Sequence, residues 1–334
     1  ESSLFYFRYG FFFLGIWMIL DEDINYLKIF YYILTFGITF LIVDTIIQYF
    51  FGYNLFGFPI SNTSRISGIY REEFVLGSMI SRLFPIYIGL SFFYYNSINR
   101  YLFCFNSIIL MPVLLIIGER AALLLGLLTI FILIIILISR LKLKYILVLL
   151  ICVLSFIFLI FQDNRIKSRI FDQTLNQIIT QDTKKITIPV EHLRLFKTGL
   201  KMFYDKPIIG HGPKTYRVAC NEDKYKMKLH DNLTNCNTHP HNTYIQMLAE
   251  TGIVGTLPII LMLIYTISKI VKNYIIIFNK NYDNYNLLEL FVFIALLLTL
   301  WPLISTGSFF NNWINVTYYL PLGFILYLIN RNRI

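Results

Sequence analysis

The sequence predicts an all-α polytopic membrane protein of about nine transmembrane helices, with one large, mainly helical loop on the outer side. Three observations carry this. The 334 residues are 57% hydrophobic and 14% charged, with a mean hydropathy of +0.63, far more apolar surface than one globular core buries. Apolar runs long enough to cross ~30 Å of hydrocarbon at ~1.5 Å per residue recur along the chain. They are solidly apolar, without the alternation of a membrane β-barrel.

In order, the expected spans are 4–20, 28–50, 74–95, 101–117, 121–138, 145–161, 253–278, 287–305 and 314–329. This divides the chain into helices 1–6 over 1–161, a loop domain over 162–252 and helices 7–9 over 253–334. Orientation follows from the lysines and arginines beside the helix ends. Arg100, the connection Arg140-Leu141-Lys142-Leu143-Lys144, Lys269, Lys272, Lys280 and the tail with Arg331 and Arg333 share one side, which is then cytoplasmic. Segment 51–73, the turn at Gly118-Glu119-Arg120, the loop and the turn from Thr306 to Trp313 face outward, and the N-terminus lies outside. The acidic run Asp21-Glu22-Asp23 falls on the inside but weighs little in this rule. The chain opens on Glu1 without a methionine or signal sequence, so further N-terminal helices are expected in the full-length protein.

The net charge of +10 is shared between inside anchors and the loop, which argues against nucleic acid as a partner. From Gln162 to Gly252 there are 14 Lys or Arg against 9 Asp or Glu, and a basic surface above a bilayer suits membrane lipids, through anionic headgroups or lipid phosphates. Cys104 and Cys152 read as small residues within apolar spans. Cys220 and Cys236, sixteen apart in the loop, are expected to pair in an oxidising compartment, a stabilisation of ~3 kcal/mol. The competing reading, a zinc site with His230, His239 or His241, lacks CxxC or HExxH spacing.

Ionisable groups at span edges are costly in hydrocarbon and are therefore site candidates. Arg65, Arg71 and Arg82 bracket Ser67-Gly68-Ile69-Tyr70, and Arg120 sits in a turn too short to reach far into water. Snorkelling or pairing with Glu119 is the plain alternative. Within the loop, the periodicity of residues 191–204 predicts a helix with a basic face, stopped at Asp205-Lys206-Pro207 and followed by a turn through Ile208-Ile209-Gly210-His211-Gly212-Pro213. Thr238 is the expected N-cap of the next helix, with Pro240 and His241 in its first turn. There the helix dipole would keep His241 neutral and able to accept a proton. Alternatively, His239 and His241 only hydrogen-bond the helix start.

Arg194, then Lys206-Pro207-Ile208-Ile209-Gly210-His211-Gly212, then His241-Asn242-Thr243-Tyr244-Ile245-Gln246 through Glu250-Thr251-Gly252-Ile253-Val254-Gly255, resembles the large periplasmic loop of the O-antigen ligase and O-antigen polymerase superfamily. Gly118-Glu119-Arg120-Ala121-Ala122 is similar to that family's arginine-bearing turn. The resemblance covers about residues 60–320, and His211 between two glycines departs from it.

The resemblance implies a GT-C-like architecture in a bacterial inner membrane with the active site facing the periplasm. It also implies metal-independent, inverting glycosyl transfer without a cofactor. The donor would be an undecaprenyl-diphosphate-linked glycan, and the acceptor lipid A-core or another lipid-linked glycan. On this basis His241 is the expected base, and Arg120, Arg194, Arg71 and Arg65 are expected to bind diphosphate, since arginine forks suit phosphate. His239 is a reserve base, Glu250 orients the site and His211 is a supporting residue of open role. The rival from another class is a transporter or flippase of lipid-linked oligosaccharide. The sequence shows no internal repeat, and its polar candidates do not cluster at the membrane midplane as that reading would favour.

Overall fold

The computed structural model describes residues 4–60, 65–94, 97–138, 158, 162–178, 190–225, 236–279 and 283–331. The expected sixth span apart from residue 158, the basic connection at 140–144, Lys280, Arg333, Cys152 and His230 lie outside these residues. Among them, every regular element is helical: α1 (Arg8–Glu22), α2 (Asn25–Phe51), α3 (Leu76–Phe93), α4 (Ser97–Ile117), α5 (Arg120–Ile138), α6 (Asn164–Lys167), α7 (Gln173–Ile178), α8 (Val190–Asp205), α9 (Tyr216–Ala219), α10 (Thr243–Phe278), α11 (Asn284–Leu300) and α12 (Asn312–Arg331). The other eight expected spans coincide with helices. Three of the described helices, α2, α3 and α10, are long and apolar enough to cross a membrane.

The chain divides into two compact units. The first comprises Glu1–Trp17, Asn176–Ser268 and Leu296–Gly323, and the second Met18–Leu175, Lys269–Ala295 and Phe324–Ile334.

In the second unit the apolar helices pack through small residues. A Cβ at Gly77 of α3 would come within 2.9 Å of Ala122 of α5, the close approach that small residues allow where apolar contact with lipid gives no advantage. Buried polar groups on the same helices tie down the connections. Gln48 of α2 donates to the Phe58 carbonyl at 3.0 Å and accepts from Gly68 N at 2.8 Å, while Asp44 accepts from Leu55 N at 3.0 Å. The turn between α4 and α5 is as short as expected, with Gly118 at φ 75°. Its Glu119 reaches the start of α3, accepting from the N–H groups of Gly77 at 2.9 Å and Ser78 at 3.1 Å. A carboxylate there satisfies donors that the first helical turn leaves open.

In the first unit α8, α9 and the beginning of α10 enclose a small core of Met202, Tyr216, Ala219, Cys220, Tyr225 and Ala249, with Cys236 against it. A disulfide joins Cys220 to Cys236, Cα–Cα 5.2 Å. The expected span at 287–305 ends earlier, at Leu300. The cause is Pro302, which carries no N–H and disfavours helix at the residue before it.

Candidate active site

The segment before α10 is built around one asparagine. Asn242 Oδ1 accepts from the N–H groups of Tyr244 at 3.0 Å and Ile245 at 3.1 Å, so Asn242 is the N-cap and α10 begins at Thr243. The expected cap at Thr238 and first-turn placement of His241 are corrected by this. The Asn242 side chain satisfies the open N–H groups first, and His241 precedes the cap in a left-handed conformation, φ 56°. A non-glycine residue at positive φ is uncommon and is held there by its surroundings.

Those surroundings come from residues 300–311. The carbonyls of Leu300 and Pro302, which have no helical partner beyond the end of α11, accept from Tyr244 Oη at 2.6 Å and Asn242 Nδ2 at 2.9 Å. Thr306 N donates to the His241 carbonyl at 3.0 Å. The His-Asn-x-Tyr segment therefore seats a histidine at a helix start and clamps it to the break after α11.

The two histidines of this segment are placed differently. His239 is buried, with Nε2 3.0 Å from the Thr306 carbonyl and Nδ1 2.9 Å from Thr238 Oγ1, so both ring nitrogens are engaged within the fold. Burial, followed by His241 and Arg217, lowers its pKa to about 4. His241 presents Nε2 to the amide of Asn237 at 3.0 Å. Asn237 Oδ1 already accepts from Thr238 N at 2.7 Å, so the amide nitrogen faces the ring. An amide nitrogen only donates, which makes Nε2 the acceptor and puts the proton on Nδ1. Burial, then the neighbouring His192, lowers the His241 pKa. The ring thus carries its lone pair on an exchangeable, exposed asparagine contact.

Two neighbours of this centre were not singled out by sequence. His192 of α8 stands edge-on to His241 at a centroid distance of 5.6 Å, and the charge of Arg217 reaches both His239 and Glu250. Only a helical wheel of α8 aligned with the motif at 241 could have suggested His192. Among the described residues no group of three His, Cys, Asp or Glu side chains is arranged to hold a metal ion.

Two further candidates of the first unit, Glu250 and His211, are engaged within the fold. Glu250 is fully buried and accepts from Tyr216 N at 2.8 Å and Gln246 Nε2 at 2.9 Å. Gln246 in turn accepts from Phe309 N at 2.9 Å. His211 Nε2 lies 3.0 Å from the Met202 carbonyl and 3.2 Å from Tyr225 Oη. Arg194 is only 5% exposed.

The Gly-His-Gly turn has a structural explanation. At Gly252, φ 62° and ψ −159°, the helix of α10 is broken, and the freed groups pair with the turn. Gly212 N donates to the Glu250 carbonyl at 2.7 Å and His211 N to that of Ala249 at 3.1 Å, while Ile253 N and Val254 N donate to the carbonyls of Pro207 and Ile208.

The second unit gathers arginines of its own. Arg65, Arg120 and Arg169 lie close enough for charge repulsion: the Arg169 pKa falls to about 10 through burial first, then Arg65 and Arg120. Arg120 donates to Thr174 Oγ1 at 3.0 Å. Arg169 and Arg165 line a cavity of ≈ 110 Å³ with Tyr49, Ile66, Leu115 and Gly118. Arg71 instead lies over the Phe58 ring, 4.3 Å from its centroid. Arg165 and Arg169, in the basic stretch 165–169, escaped the sequence reading because nothing there marks which loop arginines return to the Arg120 turn.

Burial of neutral His239 has a consequence for stability. Above pH 6.5 the ring is uncharged in both folded and unfolded chains. Between 6.5 and about 4 only the unfolded chain takes up the proton, so stability falls with pH across that window, by ~3 kcal/mol in full. Thermal unfolding in detergent should therefore drop between pH 7 and 4, and His239→Gln should flatten the drop. An unchanged acid slope in that variant would remove the explanation.

Apolar helices with a folded polar segment, and on it a neutral histidine at a helix start, define the class: a helical membrane protein with a candidate acid–base centre. Residues 105–260 match the family model described as O-Antigen ligase. Over that segment, 156 of the 334 residues, the chain is similar to that family, which supports the O-antigen ligase and polymerase superfamily. No curated protein matches the chain.

Proposed function

We propose that the protein transfers a glycan from an undecaprenyl-diphosphate carrier to an acceptor hydroxyl, on lipid A-core or on a second lipid-linked glycan, at the periplasmic face of a bacterial inner membrane. The observation that carries this reading is the Nε2 lone pair of His241, oriented by Asn237, within the segment matched to the O-antigen ligase family. An acceptor hydroxyl that replaces the Asn237 amide donates its proton to Nε2. Its oxygen attacks the anomeric carbon from the face opposite the leaving group, the bond from that carbon to the diphosphate oxygen breaks, and the diphosphate departs with the bonding electrons. The configuration inverts, and no metal is required, because arginines supply the positive charge that the leaving group needs.

As candidates for diphosphate binding, the second unit by itself offers Arg120 with Arg65 and Arg169. The first unit by itself offers Arg194 and exposed Arg217. Arg71 ranks lower because its guanidinium lies over Phe58. Charge-assisted contacts of ~1.5–3 kcal/mol predict that Arg120→Ala and Arg169→Ala each lower kcat/KM for the donor by ~10–100-fold. Wild-type donor kinetics in both variants would remove the second-unit arginines from the assignment.

The test of the function is purified protein reconstituted with lipid-linked donor and each acceptor in turn. Glycan on lipid A-core marks a ligase, and a longer lipid-linked glycan marks a polymerase. Donor translocation without a new glycosidic bond would establish the transporter reading instead. Loss of transfer in EDTA would end the metal-independent mechanism.

A further inference from the structure

The exposed face of α8 changes character along its length. Lys197, Lys201, Tyr204 and Asp205 stand on it at helical spacing, followed by Lys206, and all five are exposed. Asp205, the acidic member, pairs with Lys224 at 3.0 Å, so the stripe presents net positive charge. Immediately after it, Ile208 and Ile209 are 66% and 71% exposed, and Tyr204 beside them is 76% exposed. Single exposed apolar residues need no explanation. Two adjacent isoleucines pinned to a further apolar surface form a patch, which does.

That further surface is α10. Ile253 N and Val254 N donate to the carbonyls of Pro207 and Ile208 at 2.8 and 3.1 Å, so the turn is fastened to the helix where it leaves the break at Gly252. From there Val254, Leu257 and Leu261, three and seven residues along one face, are at least half exposed. α10 is one of the three described helices long and apolar enough to span a membrane. The isoleucines are therefore fastened at the start of the exposed apolar stripe of α10, and Tyr204 and Lys206 precede them directly in the chain.

We propose that the face of α8 and the Ile208-Ile209 turn dock onto an anionic bilayer surface, the isoleucines among the acyl chains and Lys197, Lys201 and Lys206 at the lipid phosphates. Apolar side chains in the interface, an aromatic at headgroup level and lysines toward anionic lipid are the arrangement that holds interfacial segments in place. The occupant is the bilayer because the patch continues a spanning helix and its rim is basic. Docking there holds the turn that brackets Glu250 and Gly252 at a set depth, through the backbone bonds of His211 and Gly212 to α10. This inference stands on the geometry of the turn and does not depend on which reaction the protein performs.

The experiment places a tryptophan at the patch, Ile209→Trp, in the full chain reconstituted in vesicles of phosphatidylethanolamine and phosphatidylglycerol. The emission of Trp17, Trp301 and Trp313 is subtracted using the unsubstituted protein. The added emission is expected to be blue-shifted and quenched by lipids brominated on the acyl chain, with little quenching by aqueous iodide. Tyr204→Trp supplies a second probe should the first variant fold poorly, and its quenching should be strongest with bromine near the headgroup. Omitting phosphatidylglycerol, or combining Ile209→Trp with Lys197→Gln, Lys201→Gln and Lys206→Gln, should weaken the bromine quenching. Quenching by iodide and not by bromine would overturn the proposal. Shielding from both quenchers would also overturn it, since a second copy or a protein partner would then cover the face. Equal bromine quenching with and without phosphatidylglycerol would overturn the assignment of the lysines to lipid phosphates.

Discussion

His241→Ala is expected to lower glycan transfer by ~10²–10⁴-fold while leaving the protein folded, the usual contribution of a positioned general base. The fold should survive because the ring's one described hydrogen bond outside the Thr306 segment is to exposed Asn237, and the clamp on Thr306 uses the His241 backbone carbonyl. Transfer by the variant at the wild-type rate, measured with purified protein and lipid-linked donor, would disprove the assignment.

The pH profile adds a second reading. Burial and His192 hold the His241 pKa below 6.5, so the ring is neutral and competent above that value. Activity should fall only as pH drops below it and imidazolium forms, on a single-proton limb. Asn237→Asp sets a carboxylate beside Nε2, which favours imidazolium, and should move that limb to higher pH. A limb that stays in place would mean that Asn237 does not act through the ring.

Gly252→Ala is expected to be the most damaging single-atom addition in the first unit. At φ 62° and ψ −159° the backbone lies where residues with a Cβ are strained by ~1–3 kcal/mol. The added Cβ would also meet the Ile208 carbonyl oxygen at 2.3 Å, a contact that only separation of the turn from α10 can relieve. Separation releases the bonds of Ile253 and Val254 and those from His211 and Gly212, so a total cost above ~3 kcal/mol follows. Gly210→Ala should behave alike, since its Cβ would lie 2.4 Å from the Glu250 carbonyl carbon at φ 67°. Both should unfold at clearly lower temperature than the parent in detergent. An unaltered unfolding temperature in either would mean that the turn and the helix break are not locked together.

Much of this was legible in the chain. Unbroken apolar runs predicted the helices, because a segment without polar partners must satisfy its backbone internally. Gly118 and the short turn before Arg120 were legible for the same reason. The motif around His241 could be found by its residues, but its geometry could not. Thr238 and Asn242 are both good caps on paper, and the choice between them rests on Pro302 and Leu300, some sixty residues away, whose open carbonyls draw in Asn242 and Tyr244. Glu250, expected to orient the site, is a buried acceptor that holds α9 and Gln246, contacts set by what packs against it.

The sequence by itself determined the helical membrane class, the position of the polar segment, the cysteine pair and the histidine at its end, because these follow from local composition and spacing. Only the tertiary structure decided which nitrogen of His241 holds the lone pair, which arginines share a cluster and why Gly210 and Gly252 are glycines. Those properties depend on hydrogen bonds and close approaches between residues far apart in sequence, and no local pattern in the chain encodes them.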